Sequence, residues 1–190
     1  MKNTKKISLI LGSSSPRRKE LLSEMDFDFT VSAIDVEEVF PEHLQKEKIT
    51  EFLANLKAEA YSKSLLENEL LITSDTLVWA DKALGKPKDD LEAKQMLQTL
   101  SGKTHWVISS VCLKSNHKKK VFSDQTKVTF AKLSKKEIQY YISKYPPLDK
   151  AGSYGIQDWI GHIGIKKIQG SYTTVMGLPT HKLYKALKAW

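Results

Sequence analysis

The chain of 190 residues is poor in features that would simplify its reading, and each gap excludes something. A single cysteine, Cys112, rules out an internal disulfide and suits a reducing compartment. No apolar run approaches the roughly 20 residues that span a bilayer, and Ile7–Leu11 lacks the length and cleavage pattern of a signal peptide. A cytoplasmic protein without membrane contact is the expectation. There is no internal repeat, low-complexity tract or obvious linker, so one continuous domain over residues 1–190 is expected. Also missing are a Walker phosphate loop, a Gly-x-Gly-x-x-Gly fingerprint and a Gly-x-Ser-x-Gly elbow, which removes three common ways of building a nucleotide or ester site. His105 has no second histidine at metal-ligand spacing and reads as structural.

Positive charge is what the chain has in excess. Thirty lysines and arginines stand against 22 acidic residues, for a net charge of +8 and a pI of about 9.3. Anionic partners follow, and both nucleotides and nucleic acid qualify. Much of the excess sits in short clusters: Lys2, Lys5 and Lys6; Lys118–Lys120 in an expected hairpin loop; Lys135 and Lys136; Lys166 and Lys167. These lack the interleaved aromatics of a single-strand stacking platform and read as solvated faces, which disfavours nucleic acid.

Strand and helix patterns alternate, as in an α/β fold with a mixed sheet. Phe27–Ser32 reads as a short strand, Thr50 to about Leu66 as a helix with Phe52, Leu53, Leu56 and Ala60 on its apolar side, and "LLITSDTLVWAD" as a strand interrupted by a polar triplet. "KALGKPKDD" reads as a turn, followed by a helix capped by Asp89 or Asp90, with Ala93, Met96, Leu97 and Leu100 inside and Gly102 as its stop. "HWVISSVCL" and "VFSDQTKVTFAKL" read as paired strands, "SKKEIQYYISKY" and Pro179–Lys188 as helices. Six of the nine glycines fall between Gly152 and Gly177, where the backbone must turn tightly or approach something closely.

The stretch "LGSSSPRRKELLSEM" poses an electrostatic problem. Ser15 is a good N-cap and Pro16 suits the first helical position, with Leu21, Leu22 and Met25 as the buried face. Arg17 and Arg18 then stand at the positive end of the helix dipole, where a cation costs about 0.3–1 kcal/mol. An anion bound there removes the conflict, since helix N-termini, serine hydroxyls and arginine forks all bind phosphate; two solvated arginines are the ordinary alternative. Asp75 lies between apolar residues at or near a strand end, where a carboxylate needs a partner: a metal ion, a water to deprotonate, or loop amides. Glu37 and Glu38 form an acidic pair that, with Asp75, offers oxygen ligands to a hard cation. Lys57 points from the edge of a buried helix face, and the ordinary alternative is a packed stem with its amine in water. Lys86 and Lys88 straddle Pro87 in a rigid turn that can present amines to phosphate.

Seven stretches in order, "SSSPRRKELL", "EE" ahead of the helix bearing Lys57, "SDT", "LGKPKD", "LSGKTHWV", "PLDKAGSYGIQ" and "GSYTTVMGLP", make the chain resemble the Maf family of nucleoside triphosphate pyrophosphatases over nearly its whole length. The resemblance implies an elongated, two-lobed α/β domain with a twisted mixed sheet, flanking helices and a central cleft. It implies a house-cleaning hydrolase that converts a nucleoside triphosphate to the monophosphate and pyrophosphate with a divalent metal, Mg²⁺ or Mn²⁺. Carried over by position, Asp75 becomes the proton acceptor, Glu38, Lys57 and Lys86 site members, and Glu38 with Asp75 the metal ligands; Glu37 remains open beside Glu38. Ser13, Ser15, Arg17 and Arg18 would bind the triphosphate. Arg17, Thr76 and Gln157 match the branch acting on dTTP and UTP, and a glutamine amide offers donor and acceptor to a pyrimidine edge. Gly12 and Ser74 stand where alanine is usual, and Asp158-Trp159 follows Gln157 where glycine is frequent, which bears on the base pocket. A homodimer is left open. The alternative reading is a non-catalytic basic regulator of nucleic acid or a division partner, whose binding would survive loss of Asp75; another is the same reaction on a different or modified base.

Overall fold

The computed structural model describes residues 7–190, so the lysines at positions 2, 5 and 6 lie outside the described residues. Its chain folds into a seven-stranded mixed sheet with helices packed around it, in the strand order β2-β1-β3-β5-β6-β7, with β4 paired to β3. Strands β1 (Ser8–Leu11) and β2 (Phe29–Val31) run parallel, as do β1 and β3 (Glu69–Ala80). Between β1 and β2 lies α1 (Pro16–Ser23); α2 (Glu47–Glu59) precedes β3. Strand β4 (Lys82–Leu84) folds back antiparallel on β3 through Asp81, at φ +64°. Helix α3 (Asp90–Leu100) leads into β5 (Thr104–Lys114) and β6 (Lys119–Phe130), neighbours joined by a short connection in which Ser115 N–H donates to Lys118 O at 2.9 Å. Then come α4 (Lys135–Lys144), a 3-10 turn at Ala151–Ser153, α5 (Trp159–Gly164), β7 (Ile165–Gln169) antiparallel to β6, α6 (Tyr172–Met176) and α7 (Thr180–Lys188).

By its internal contacts the chain forms two compact units. The first comprises residues 7–75, Ser109–Asp124 and Gly177–Trp190; the second, Thr76–Ile108 and Gln125–Met176. In the first, Ile10, Ala54, Ala58, Leu65, Leu71 and Cys112 form a buried cluster between α2 and the sheet. The Cys112 thiol is pushed up to about 11 by burial, which leaves it a small inert hydrophobe. In the second, α3 and α4 bury Leu97, Leu100, Ile138 and Tyr141 against Val107, Val128 and Phe130 of the sheet. Ser134 and Glu137 close a reciprocal capping box at the start of α4.

Several elements differ from the sequence expectation, each for a local reason. Helix α2 starts three residues earlier and ends well before Leu66; its buried stripe is Ile49, Thr50, Leu53, Ala54, Lys57 and Ala58, while Phe52 and Leu56 are half-buried and Ala60 is exposed. Helix α1 stops at Ser23, so Met25 lies beyond it. Strand β3 runs unbroken through Thr73, Ser74 and Asp75, because each polar side chain finds a partner across the sheet face it meets. Lys82–Leu84, read as part of a turn, is a strand. Lys119 and Lys120, assigned to a hairpin loop, already belong to β6.

His105 is a core residue of the second unit. Its Nε2 lies 2.8 Å from Tyr154 Oη, its ring packs edge-on to Phe130 and Tyr154, and burial holds its pKa down from 6.5 to about 4. A folded-state pKa below the unfolded value means stability is complete above pH 6.5 and is lost as pH falls toward 4. The expected loss is about 3 kcal/mol. Urea unfolding at pH 7.5 and pH 4.5 should show a larger drop for this chain than for His105→Gln.

Candidate functional site

Strand β3 and helix α2 meet in register. On the strand, residues two apart share a face; on the helix, residues three apart do. Thr73 Oγ1 donates to Ala54 O at 2.6 Å, and one strand step further Lys57 Nζ donates to Asp75 Oδ1 at 2.6 Å. Asp75 therefore sits in mid-strand at 5% exposure, not at a strand end, and Lys57, at 8%, lies within the buried stripe of α2 with its amine on a carboxylate rather than in water. Glu38, on the segment between β2 and α2, brings Oε1 to 2.9 Å from the same ammonium. Of the acidic pair, Glu38 is the carboxylate that meets Lys57.

The start of α1 adjoins this triad. Ser15 caps the helix, its Oγ accepting from Arg18 N–H at 3.5 Å, and Ser13 Oγ accepts from Ser15 N–H at 3.2 Å and from Arg18 Nη1 at 3.4 Å. Both hydroxyls still carry a proton to donate. Arg18 Nε donates to Gly177 O at 3.0 Å, and Ser74 Oγ donates to the same carbonyl at 3.3 Å. Arg18 is thus aimed from two sides by Ser13 and Gly177, and it stays a cation even though burial lowers its pKa, because Asp75 and Glu38 oppose that shift. Arg17 acts on it as a neighbouring like charge.

Burial pushes the Asp75 carboxyl above its ordinary 3.8, with Lys57 and Arg18 pulling it back and Glu38 adding to the rise. A carboxylate whose proton affinity is raised above the ordinary by burial, beside fixed cations, is suited to taking a proton from water. Two oxygen donors, Glu38 and Asp75, converge here. Among the described residues no group of three or more His, Cys, Asp or Glu could hold a metal ion. Two carboxylates fit a hard cation that completes its shell with substrate phosphates and water, the usual habit of Mg²⁺.

The structure therefore brings Ser13, Ser15, Arg17, Arg18, Glu38, Lys57 and Asp75 together in the first unit. Thr76 follows Asp75 on β3, half-buried; Lys86 is exposed after β4, and Gln157 is half-buried ahead of α5, all three in the second unit. Gln157 Oε1 is buried with no hydrogen-bond partner among the described residues. Sequence reasoning missed Gly177 and Ser74 as site-shaping groups. Gly177, at φ +117°, lay within the glycine-rich stretch, but a carbonyl acceptor leaves no mark in a residue pattern. Gly12 also has a reason: a Cβ there would lie 2.7 Å from Ile34 Cδ1 and 2.9 Å from Thr73 Cγ2.

Among the described residues no helix is long and apolar enough to cross a membrane. The family model for Maf-like proteins matches residues 8–190. A dTTP/UTP pyrophosphatase of Flavobacterium psychrophilum is 57% identical over 183 residues, covering 96% of this chain and 92% of that protein. Proteins of the same name from Christiangramia forsetii and Porphyromonas gingivalis are each 53% identical, over 181 and 190 residues, covering 95% and 98% of this chain and 92% and 96% of theirs. A match of this extent, over the segments that carry the Asp75, Lys57 and Glu38 cluster, places the chain in the Maf-like protein family.

Proposed function

We propose that the chain is a nucleoside triphosphate pyrophosphatase that hydrolyses dTTP and UTP to the monophosphate and pyrophosphate, working in the cytoplasm on the nucleotide pool. The observation that carries this reading is the buried Asp75 carboxylate, 2.6 Å from the Lys57 ammonium and next to an arginine-bearing helix start. The names of the relatives supply the substrates.

The triphosphate takes its place at the head of α1. Ser13, Ser15 and the first amides of the helix donate to phosphate oxygens, and Arg17 and Arg18 balance their charge. Asp75 accepts the proton of the attacking water; oxygen bonds to the α-phosphorus, and the bond from that phosphorus to the bridging oxygen breaks. The electron pair leaves with pyrophosphate. Lys57 and Lys86 offset charge as it shifts onto the leaving group, and contacts of this kind are worth about 1.5–3 kcal/mol each. Charge of this size outweighs the dipole penalty of two arginines at a helix start. Glu38 and Asp75 would hold Mg²⁺ or Mn²⁺, which when bound lowers the pKa of water and polarises phosphate oxygens. Arg17, Thr76 and Gln157 set the base preference, with the Gln157 amide meeting the O4 and N3–H edge of uracil or thymine.

The test is pyrophosphate release from dTTP, UTP, CTP, GTP and 7-methyl-GTP with Mg²⁺ or Mn²⁺. Turnover concentrated on dTTP and UTP is expected. Turnover on another base would keep the chemistry and overturn the pocket reading; none at all would favour the binding-regulator alternative.

A further inference from the structure

Asp158 stands at the N-cap position of α5 yet makes no side-chain cap to that helix. Its carboxylate turns the other way. Asp158 Oδ2 accepts from Tyr141 Oη at 2.7 Å, and the same phenol oxygen accepts from Gly155 N–H at 3.0 Å. Asp158 N–H donates to Gly155 O at 3.1 Å, closing a tight turn around Ile156 and Gln157. Lys150 Nζ lies 3.8 Å from Asp158 Oδ2 and adds a cation to the pair. The fit is close: a Cβ on Gly155 would lie 2.5 Å from Asp158 Oδ2. Tyr141 has 0% exposure and is fixed in the core by α4, so it is a rigid anchor for the turn.

The residue held inside this clamp is Gln157, whose Oε1 is buried and has no hydrogen-bond partner among the described residues. A buried amide oxygen left in that state awaits a donor. We propose that Asp158 and Tyr141 are specificity-determining positioning residues: by clamping the turn from Gly155 to Asp158 they fix the Gln157 amide in the orientation that meets the N3–H of a pyrimidine. The inference rests on the pyrophosphatase reading and deepens it. A preorganised amide discriminates more strongly than a mobile one, because a base lacking the donor leaves the buried oxygen unpaired.

The experiment measures kcat and KM for dTTP, UTP and CTP with the full chain and with Asp158→Ala, Asp158→Asn, Tyr141→Phe and the Asp158→Ala/Tyr141→Phe pair. Asp158→Ala and Tyr141→Phe should each raise KM for dTTP and UTP about tenfold with kcat within about twofold, and erode preference over CTP by a similar factor. Asp158→Asn keeps an acceptor for Tyr141 and should restore most of the preference. The double variant should be no worse than either single one, as expected of two parts of one clamp. Equal losses on all three nucleotides, a fall in kcat alone, or unchanged ratios in both single variants would overturn the assignment while leaving the pyrophosphatase reading intact. No turnover by the unaltered chain would overturn both.

Discussion

Replacing Asp75 by Asn should abolish most turnover while leaving the fold in place. The amide keeps the shape and one acceptor oxygen but cannot take a proton from water, and loss of a positioned general base reduces rate by about 10²–10⁴-fold. Stability should not suffer. Because burial raises the Asp75 pKa above 3.8, the folded state favours the protonated form; its contribution to stability is present at low pH and is lost as pH rises through the raised value. An Asn at this position escapes that loss, and Lys57 keeps the Glu38 carboxylate at 2.9 Å as its counter-charge, so the variant should be at least as stable as the parent at neutral pH, the trade of stability for activity that functional sites show. The same shift governs the pH profile. Asp75 must be ionised to act as base, so kcat/KM should climb with pH along a limb lying above the ordinary carboxylate range, and that limb should be missing from the residual activity of the Asn variant. Thermal unfolding and initial rates on dTTP between pH 4.5 and 9 check both halves.

Lys57→Met should have the opposite balance, with stability falling as well as rate. The methionine fills the volume of the lysine stem but removes the ammonium lying 2.6 Å from Asp75 and 2.9 Å from Glu38. Breaking a buried ion pair from one side leaves its partner uncompensated and costs about 3–5 kcal/mol. Asp75 can answer by taking up a proton, which moves the acid limb of any remaining activity to higher pH. The Lys57→Met/Asp75→Asn double variant no longer buries a lone charge at that position and should recover much of the lost stability. Urea denaturation of the four proteins of this cycle reads the coupling directly; equal stability of Lys57→Met and its parent would contradict the pairing.

The local cues that were strong in the sequence are those that short-range physics writes there. Ser15 and Pro16 at a helix start, Asp89 before α3, and Ser134 with Glu137 before α4 are caps, and caps are made by residues within one turn. The alternation of strands and helices was legible for the same reason. What a lone lysine or carboxylate does was not. Lys57 falls on the same helical stripe as Leu53 and Ala54, and only the strand register that sets Asp75 against it turns an expected snorkelling side chain into a buried ion pair. Asp75 in mid-strand was hidden because a polar triplet looks like an interruption until Thr73, Ser74 and Asp75 are each seen to have partners from distant segments. The family resemblance, by spacing from Pro16, already favours Glu38 while leaving Glu37 open, and the loop conformation sets Glu38 Oε1 2.9 Å from the Lys57 ammonium. Gly177 acts through its carbonyl oxygen, which every residue has, so nothing in its identity announced that it would aim Arg18.

The measurement that bears most directly on the central claim follows a single oxygen atom. Hydrolysis of UTP is run in ¹⁸O-water with the metal present, and the products are separated and weighed. Attack at the α-phosphorus, with Asp75 receiving the proton, predicts uridine monophosphate carrying one ¹⁸O and pyrophosphate carrying none. Label in the pyrophosphate, or release of inorganic phosphate in its place, would contradict the account.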